Sequence, residues 1–128
     1  MKGGTMNKRI LVVDDDPDIV EIVESQLTAN GYEVYTAYAG REGLAKCKRL
    51  KPDIVILDIM MPDIDGSSVA EEIKEDPDTA DIPIIFLTGA VKRSEIPDSR
   101  IVGGQYFLAK PFRSDDLLKT LRMLLFGY

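Results

Sequence analysis

The stretch "RILVVDDDPDIV", residues 9–20, decides how the rest of the chain is read. Arg9–Val13 is an almost continuous apolar run. It stops at Asp14, Asp15 and Asp16, and Pro17 then opens a segment in which Ile19, Ile22, Val23 and Leu27 recur at helical spacing. A short apolar run passing through polar residues straight into a helix is the opening of a βα unit. The crowding of acids at the junction needs a reason, because like charges this close repel by about 1 kcal/mol per pair in water and by more near a protein surface. Asp16 directly precedes a proline, a favoured first helical residue, so it is expected to cap the helix. Asp18 reads as a solvated acid of the first turn. Asp14 and Asp15 are left at the mouth of the strand.

The same alternation continues outward. Gly31 stands where the first helix should end. "EVYTA" (33–37) alternates like a strand, and "GREGLAKCKRL" (40–50) has helical spacing. "DIVILD" (53–58) is a buried strand after Pro52, and "SSVAEEIKE" (67–75) is a helix stopped by Pro77. "IPIIFLT" (82–88) and "YFLAK" (106–110) are further strands. "SDDLLKTLRMLLF" (114–126) is an amphipathic helix with Leu117, Leu118, Leu121, Leu124 and Leu125 on one face. Ser114 is its expected cap, and Asp115 and Asp116 suit the positive end of its dipole. Between Val91 and Gly104 the alternation asks for a helix that Pro97 interrupts, so a short, broken or displaced fourth helix is expected there.

Five strands alternating with about five helices imply an α/β fold, a parallel sheet wound on both faces. The nearly all-apolar central strands agree, since both of their faces would be covered. In such sheets ligands bind beyond the carboxyl ends of the strands, where strand order reverses. Those ends carry Asp14 and Asp15, Asp58, Thr88 and Lys110.

Composition narrows the chemistry. The 128 residues suit one domain. Residues 1–7 read as a ragged, disordered or appended start outside the fold, and 8–128 as the domain. A net charge of −6 argues against a nucleic-acid-binding surface. No apolar run is long enough to span a membrane. "MKGGTMNKR" has no secretory character, and Cys47 is alone, so a cytoplasmic setting is expected without disulfides or a thiolate metal cluster. The absence of histidine removes His-based triads, His-ligated zinc and any phosphohistidine on this chain.

Three carboxylates cannot all stay ionised side by side unless a cation relieves them. Oxygen ligands without His or Cys suit Mg2+, with Mn2+ as a substitute. A dication held this way can receive a phosphate, with Lys110 pairing to one phosphoryl oxygen and Thr88 hydrogen-bonding another. Without His, and with Cys47 in a predicted helix, a carboxylate is the best nucleophile available, and Asp58 is the natural choice if it lies centrally.

With these residues in view, the chain resembles the response-regulator receiver domains of two-component signalling, chemotaxis receivers included. The resemblance covers roughly residues 8 to 125 and is carried by "ILVVDDDPDI", "DIVILDIMMPDIDG", "IIFLTG" and "YFLAKPF", in order. It implies a flavodoxin-like (βα)5 fold with strand order 2-1-3-4-5. It implies that Asp58 is the phosphoacceptor, and that Asp15, Asp58 and the backbone carbonyl of Met60 ligate Mg2+, with Asp14 acting through metal-bound water. Thr88 and Lys110 would contact the phosphoryl group. Phe107 would be the aromatic switch, and Tyr106 would point to the other face of its strand. The Lys110–Pro111 peptide would be cis. The implied function is a phosphoryl-accepting signalling switch, not an enzyme, which takes its phosphoryl group from a histidine kinase or phosphotransfer protein and passes a changed surface to a downstream effector or output domain. Met60 and Ala90 stand at the positions that tune access of hydrolytic water. Neither offers an acid or amide to orient it, so autodephosphorylation should be slow.

Three other readings compete. An aspartate-nucleophile phosphatase of the haloacid-dehalogenase type uses similar groups, but places its nucleophile in a D-x-D-x-T/V motif after the first strand, where this chain has Asp18 at the fifth position of "DDDPD". A phosphorylation-independent binding module would keep the fold without the chemistry. A calcium loop over "MPDIDGSSVAEE" fails because Met61 would be its first ligand and a strand, not a helix, precedes it.

Overall fold

β1 (Arg9–Val13) pairs in parallel with β2 (Glu33–Ala37) on one side and β3 (Ile54–Asp58) on the other. β3 pairs in parallel with β4 (Ile84–Thr88), and β4 with β6 (Gln105–Ala109). The helices are α1 (Pro17–Ala29), α2 (Gly40–Leu50), α3 (Gly66–Glu75) and α4 (Ser114–Phe126). The computed structural model describes residues 8–89, 101–102, 105–110 and 112–127. The five parallel strands lie in the expected order, counted among themselves 2-1-3-4-5. A sixth element, β5 (Ile101–Val102), adds an antiparallel edge to β6, so the full sheet runs β2-β1-β3-β4-β6-β5. The fourth helix expected around Pro97 and residues 1–7 lie outside the described residues, but a strand, not a helix, occupies Ile101–Val102.

The central strands are apolar throughout because each alternates between two cores. Ile10, Val12, Ile54, Ile56, Ile85 and Leu87 pack on one face with Val20, Val23 and Leu27 of α1 and Leu117 and Leu121 of α4. Leu11, Val13, Val55, Leu57, Ile84 and Phe86 pack on the other with Cys47 of α2 and Val69, Ala70 and Ile73 of α3. Tyr106 and Phe107 divide between the two faces as expected.

Helix ends set the approach to the site. Asp16 caps α1, its side chain accepting from the Asp18 N–H at 2.9 Å. α1 ends in a Schellman motif: Tyr32 N–H donates to Leu27 O and Gly31 N–H to Thr28 O, with Gly31 at φ 90°. Two expectations need correction. Ile22 is 52% exposed, because α1 turns Val20, Val23 and Leu27 to the core instead. Ser114 does not cap α4. Arg113 holds that position without a side-chain bond, while Ser114 Oγ accepts a hydrogen bond from Gln26 Nε2 of α1.

α2 ends at Lys51, a non-glycine in the left-handed region with φ 48° and ψ 64°. That conformation costs an L-residue roughly 1–2 kcal/mol, and glycine gives back part of it as unfolded-state entropy. Lys51→Gly should therefore stabilise the protein by about 0.5–1 kcal/mol, read as a higher urea midpoint at unchanged slope. The bond from Arg9 Nη2 to the Lys51 carbonyl is to backbone and survives the change.

Candidate functional site

The carboxyl ends of β1 and β3 are adjacent, since Val13 lies opposite Leu57. Asp14 follows β1 and Asp58 ends β3, so the pairing register itself brings the two carboxylates together. One carboxylate oxygen from each of Asp14, Asp15 and Asp58 lies within 4.8 Å of the others. Asp14 is fully buried and Asp58 is 4% exposed, whereas Asp15 faces solvent.

Lys110 enters from the far side. Its N–H donates to Thr88 O at 2.8 Å, continuing the β4–β6 ladder one residue past β6. Its Nζ lies 2.8 Å from Asp14 Oδ2 and 3.4 Å from Asp58 Oδ1. Burial pulls the ammonium pKa down, but the two carboxylates outweigh this and leave it raised. Asp58 is pushed up to about 6, chiefly by burial and further by the charge on Asp14, against the pull of Lys110. One ammonium thus only partly relieves the acids.

The remaining residues take graded places. Thr88 ends β4, 3% exposed, beside Asp58, whose own strand neighbour is Leu87. Phe107 lies deeper and stacks on Phe86, ring centroids 5.2 Å apart. Met60 is 62% exposed and, with Asp15, lines a cleft that Ile59, Met61, Pro62, Asp65 and Ser67 complete. Ala90 and the Lys110–Pro111 peptide lie outside the described residues at Ala90 and Pro111.

Two contributors were missed. Gly66, the first residue of α3, sits so close to the end of β3 that a Cβ there would stand 2.2 Å from Asp58 O. Its N–H donates to Ile59 O at 2.6 Å, folding the loop back on itself. Asp65 caps α3 through Ser68 N–H at 3.0 Å. The signal was present in "DGSS": a capping residue followed by glycine after a strand.

The donor set fits a hard dication. It is all oxygen, and it is over-supplied with negative charge, since Asp14 and Asp58 share the Lys110 ammonium while Asp15 adds a third carboxylate beside them.

An acidic cluster with a lysine at the switch point of a doubly wound sheet is suited to holding a dication and a phosphoryl group. The model of the response regulator receiver domain matches residues 10–122, and the chain belongs to that family. It is a phosphoryl-accepting switch of two-component signalling, and receiver domains of this kind bind Mg2+ through such acidic residues. The chain is 42% identical to the response regulator PleD of Caulobacter vibrioides over 92% of its own length and 26% of that protein's. It is 38% identical to the DNA-binding dual master transcriptional regulator RpaA of Synechocystis over 91% of its length and 48% of RpaA's. It therefore spans about half or less of these relatives. Among solved structures it resembles the chemotaxis response regulator CheY4 of Vibrio cholerae, with a TM-score of 0.80 and 36% identity, covering 94% of this chain and all of the other.

Proposed function

We propose that Asp58 is the phosphoacceptor and that Asp14, Asp15, Asp58 and the Met60 carbonyl form the Mg2+ site, with Mn2+ as a substitute. The observation that carries this reading is the convergence of Asp14, Asp58 and Lys110 within ion-pair distance at the switch point. A bound dication would supply charge neutralisation to the phosphoryl oxygens and to the crowded acids.

Asp58 presents a carboxylate oxygen to the phosphorus of a partner's phosphohistidine. The P–O bond to Asp58 forms as the P–N bond to imidazole breaks. Lys110, already between Asp14 and Asp58, shifts to the incoming oxygens and offsets their charge. The acyl phosphate adds roughly −1.5 to −2 charge units. Thr88 turns toward it, and Phe107 fills the space left behind. Driving the switch from mostly off to mostly on takes about 5.5 kcal/mol of differential stabilisation. The partners on this reading are a histidine kinase or phosphotransfer protein and a downstream effector protein or output domain, in the cytoplasm. Direct nucleic-acid binding by this chain is not part of it. Among the described residues no helix is long and apolar enough to cross a membrane.

The test is labelling by a small acyl phosphate with Mg2+. A stoichiometric, hydroxylamine-sensitive label on the peptide holding Asp58 supports the acceptor. Turnover of a phosphate ester would instead favour the aspartate-nucleophile phosphatase, and partner binding unmoved by beryllofluoride and Mg2+ the phosphorylation-independent module. Once formed, the label should decay slowly, because Met60 carries no group that orients water; a half-life of seconds would overturn that.

The crowded acids should also separate by role. Asp15→Asn should lose Mg2+ binding, as measured by calorimetric titration, at a cost of at least ten-fold in affinity. Asp16→Asn keeps a good cap and should bind nearly as wild type. Equal losses would refute the division.

A further inference from the structure

α2 lacks a cap of its own. Its N-cap is Ala39, which makes no side-chain bond, and the sequence entering it, "YAGRE", offers no Ser, Thr, Asp or Asn there. The exposed N–H groups at a helix start nevertheless need partners. Glu42 reaches back only to Tyr38 N–H, at 2.9 Å. The first two helical N–H groups are met from another element: Asp63 Oδ1 accepts from Gly40 N–H at 3.0 Å and Oδ2 from Arg41 N–H at 3.0 Å.

Asp63 belongs to the loop that follows Asp58, three residues beyond Met60. Its neighbour Ile64 lies against the same helix start, since a Cβ at Gly40 would stand 2.3 Å from Ile64 Cγ2 and 2.8 Å from Ile64 O. The loop is closed at its base by the Gly66–Ile59 bond. Its outer limb, which carries the exposed Met60, is packed on the core through Met61 and Ile64, and its side-chain hydrogen bonds to α2 among the described residues come from Asp63. The two N–H groups also hold the Asp63 carboxyl below the usual carboxylate range, so it stays ionised and bidentate at neutral pH.

We infer that Asp63 is a positioning residue: by capping α2 from the acceptor loop, it fixes the limb that offers the Met60 carbonyl and thereby the metal-binding geometry beside Asp58. This rests on the acceptor reading above. It adds that α2, which contributes no side chain to the site, is mechanically tied to it.

The experiment separates tethering from helix stability. Asp63→Ala removes the cap and the tether together. Adding Ala39→Ser to Asp63→Ala returns a local cap to α2 without the tether. Mg2+ affinity by calorimetry, thermal midpoint in EDTA, and the rate of labelling by acetyl phosphate are read for wild type and both variants. Asp63→Ala should weaken Mg2+ binding roughly ten-fold, as loss of a residue that orients a ligand does. The double variant should regain the thermal midpoint but not the Mg2+ affinity. Recovery of both would overturn the inference and leave Asp63 a helix cap only. Asp63→Ala with wild-type Mg2+ affinity would overturn it too. A wild-type chain that neither binds Mg2+ nor takes the label would overturn the acceptor reading itself, and this inference with it.

Discussion

Asp58→Asn will accept no phosphoryl group from any donor, and in EDTA at neutral pH it will be more stable than the wild type. The first half follows from chemistry: an amide oxygen is no nucleophile at this pH, no histidine exists on the chain to substitute, and on the proposed reading Asp14 and Asp15 serve the metal rather than the phosphorus. The second half follows from burial. Asp58 is raised from 3.8 to about 6, so the folded chain holds a carboxylate where it would rather hold a neutral group. A carboxyl whose folded pKa lies above its unfolded value favours folding when protonated. That contribution is present below about pH 4 and is lost as pH rises through about 6. Taken at face value the shift is about 3 kcal/mol at neutral pH, and water at the mouth of the site reduces it to about 1–2 kcal/mol.

Asparagine carries no such burden. The stability gap between variant and wild type should therefore be about 1–2 kcal/mol at pH 7.5 and should close as pH falls toward 4. Saturating Mg2+ should narrow it from the other side, because a ligand that binds the folded state stabilises it by mass action. Chemical denaturation across pH, with EDTA or Mg2+, measures both arms. A wild type more stable than Asp58→Asn in EDTA at pH 7.5 would mean that Lys110 over-compensates the acids, contrary to the balance at Asp58.

Much of this site was legible because strand ends and carboxyl edges coincide in a parallel sheet. Once "RILVV" and "DIVIL" are strands of a parallel sheet, Asp14, Asp58, Thr88 and Lys110 must share one edge; that Asp14 and Asp58 are neighbours on it followed from the family's strand order and is what the register shows. What could not be read depends on long-range geometry. "IVEIV" offers two apolar stripes to α1, and the packing of the helix against β1 and β2 selects Val20 and Val23 over Ile22. Ser114 looked like a cap because capping is local, but its hydroxyl is engaged by Gln26, 88 residues away. The two-residue β5 is too short to carry a period. Asp63 had no local role to betray it, since its partners are 22 and 23 residues distant.

Gly66 tests the same point from the backbone side, and Gly66→Ala should be the most damaging single-methyl change in the described part of the chain. Its added Cβ would stand 2.2 Å from Asp58 O, 2.9 Å from Ile59 Cα and 3.0 Å from Asp58 C. All three atoms are backbone, so no rotamer can yield. Either α3 backs away from β3, losing Val69, Ala70 and Ile73 from the core, or the end of β3 moves and carries Asp58 with it. Overpacking of this kind costs about 3 kcal/mol or more. Gly127→Ala is the control. Gly127 needs φ 84° but has nothing within 4 Å of an added Cβ, so that change should cost only about 1 kcal/mol. A Gly66→Ala protein that still folds should show weakened Mg2+ binding and slowed labelling together, since the acceptor carboxylate and the loop beyond it share the displaced backbone. Comparable unfolding free energies for the two alanine variants, with Mg2+ affinity intact in Gly66→Ala, would show that α3 does not bear on the acceptor strand as closely as the structure places it.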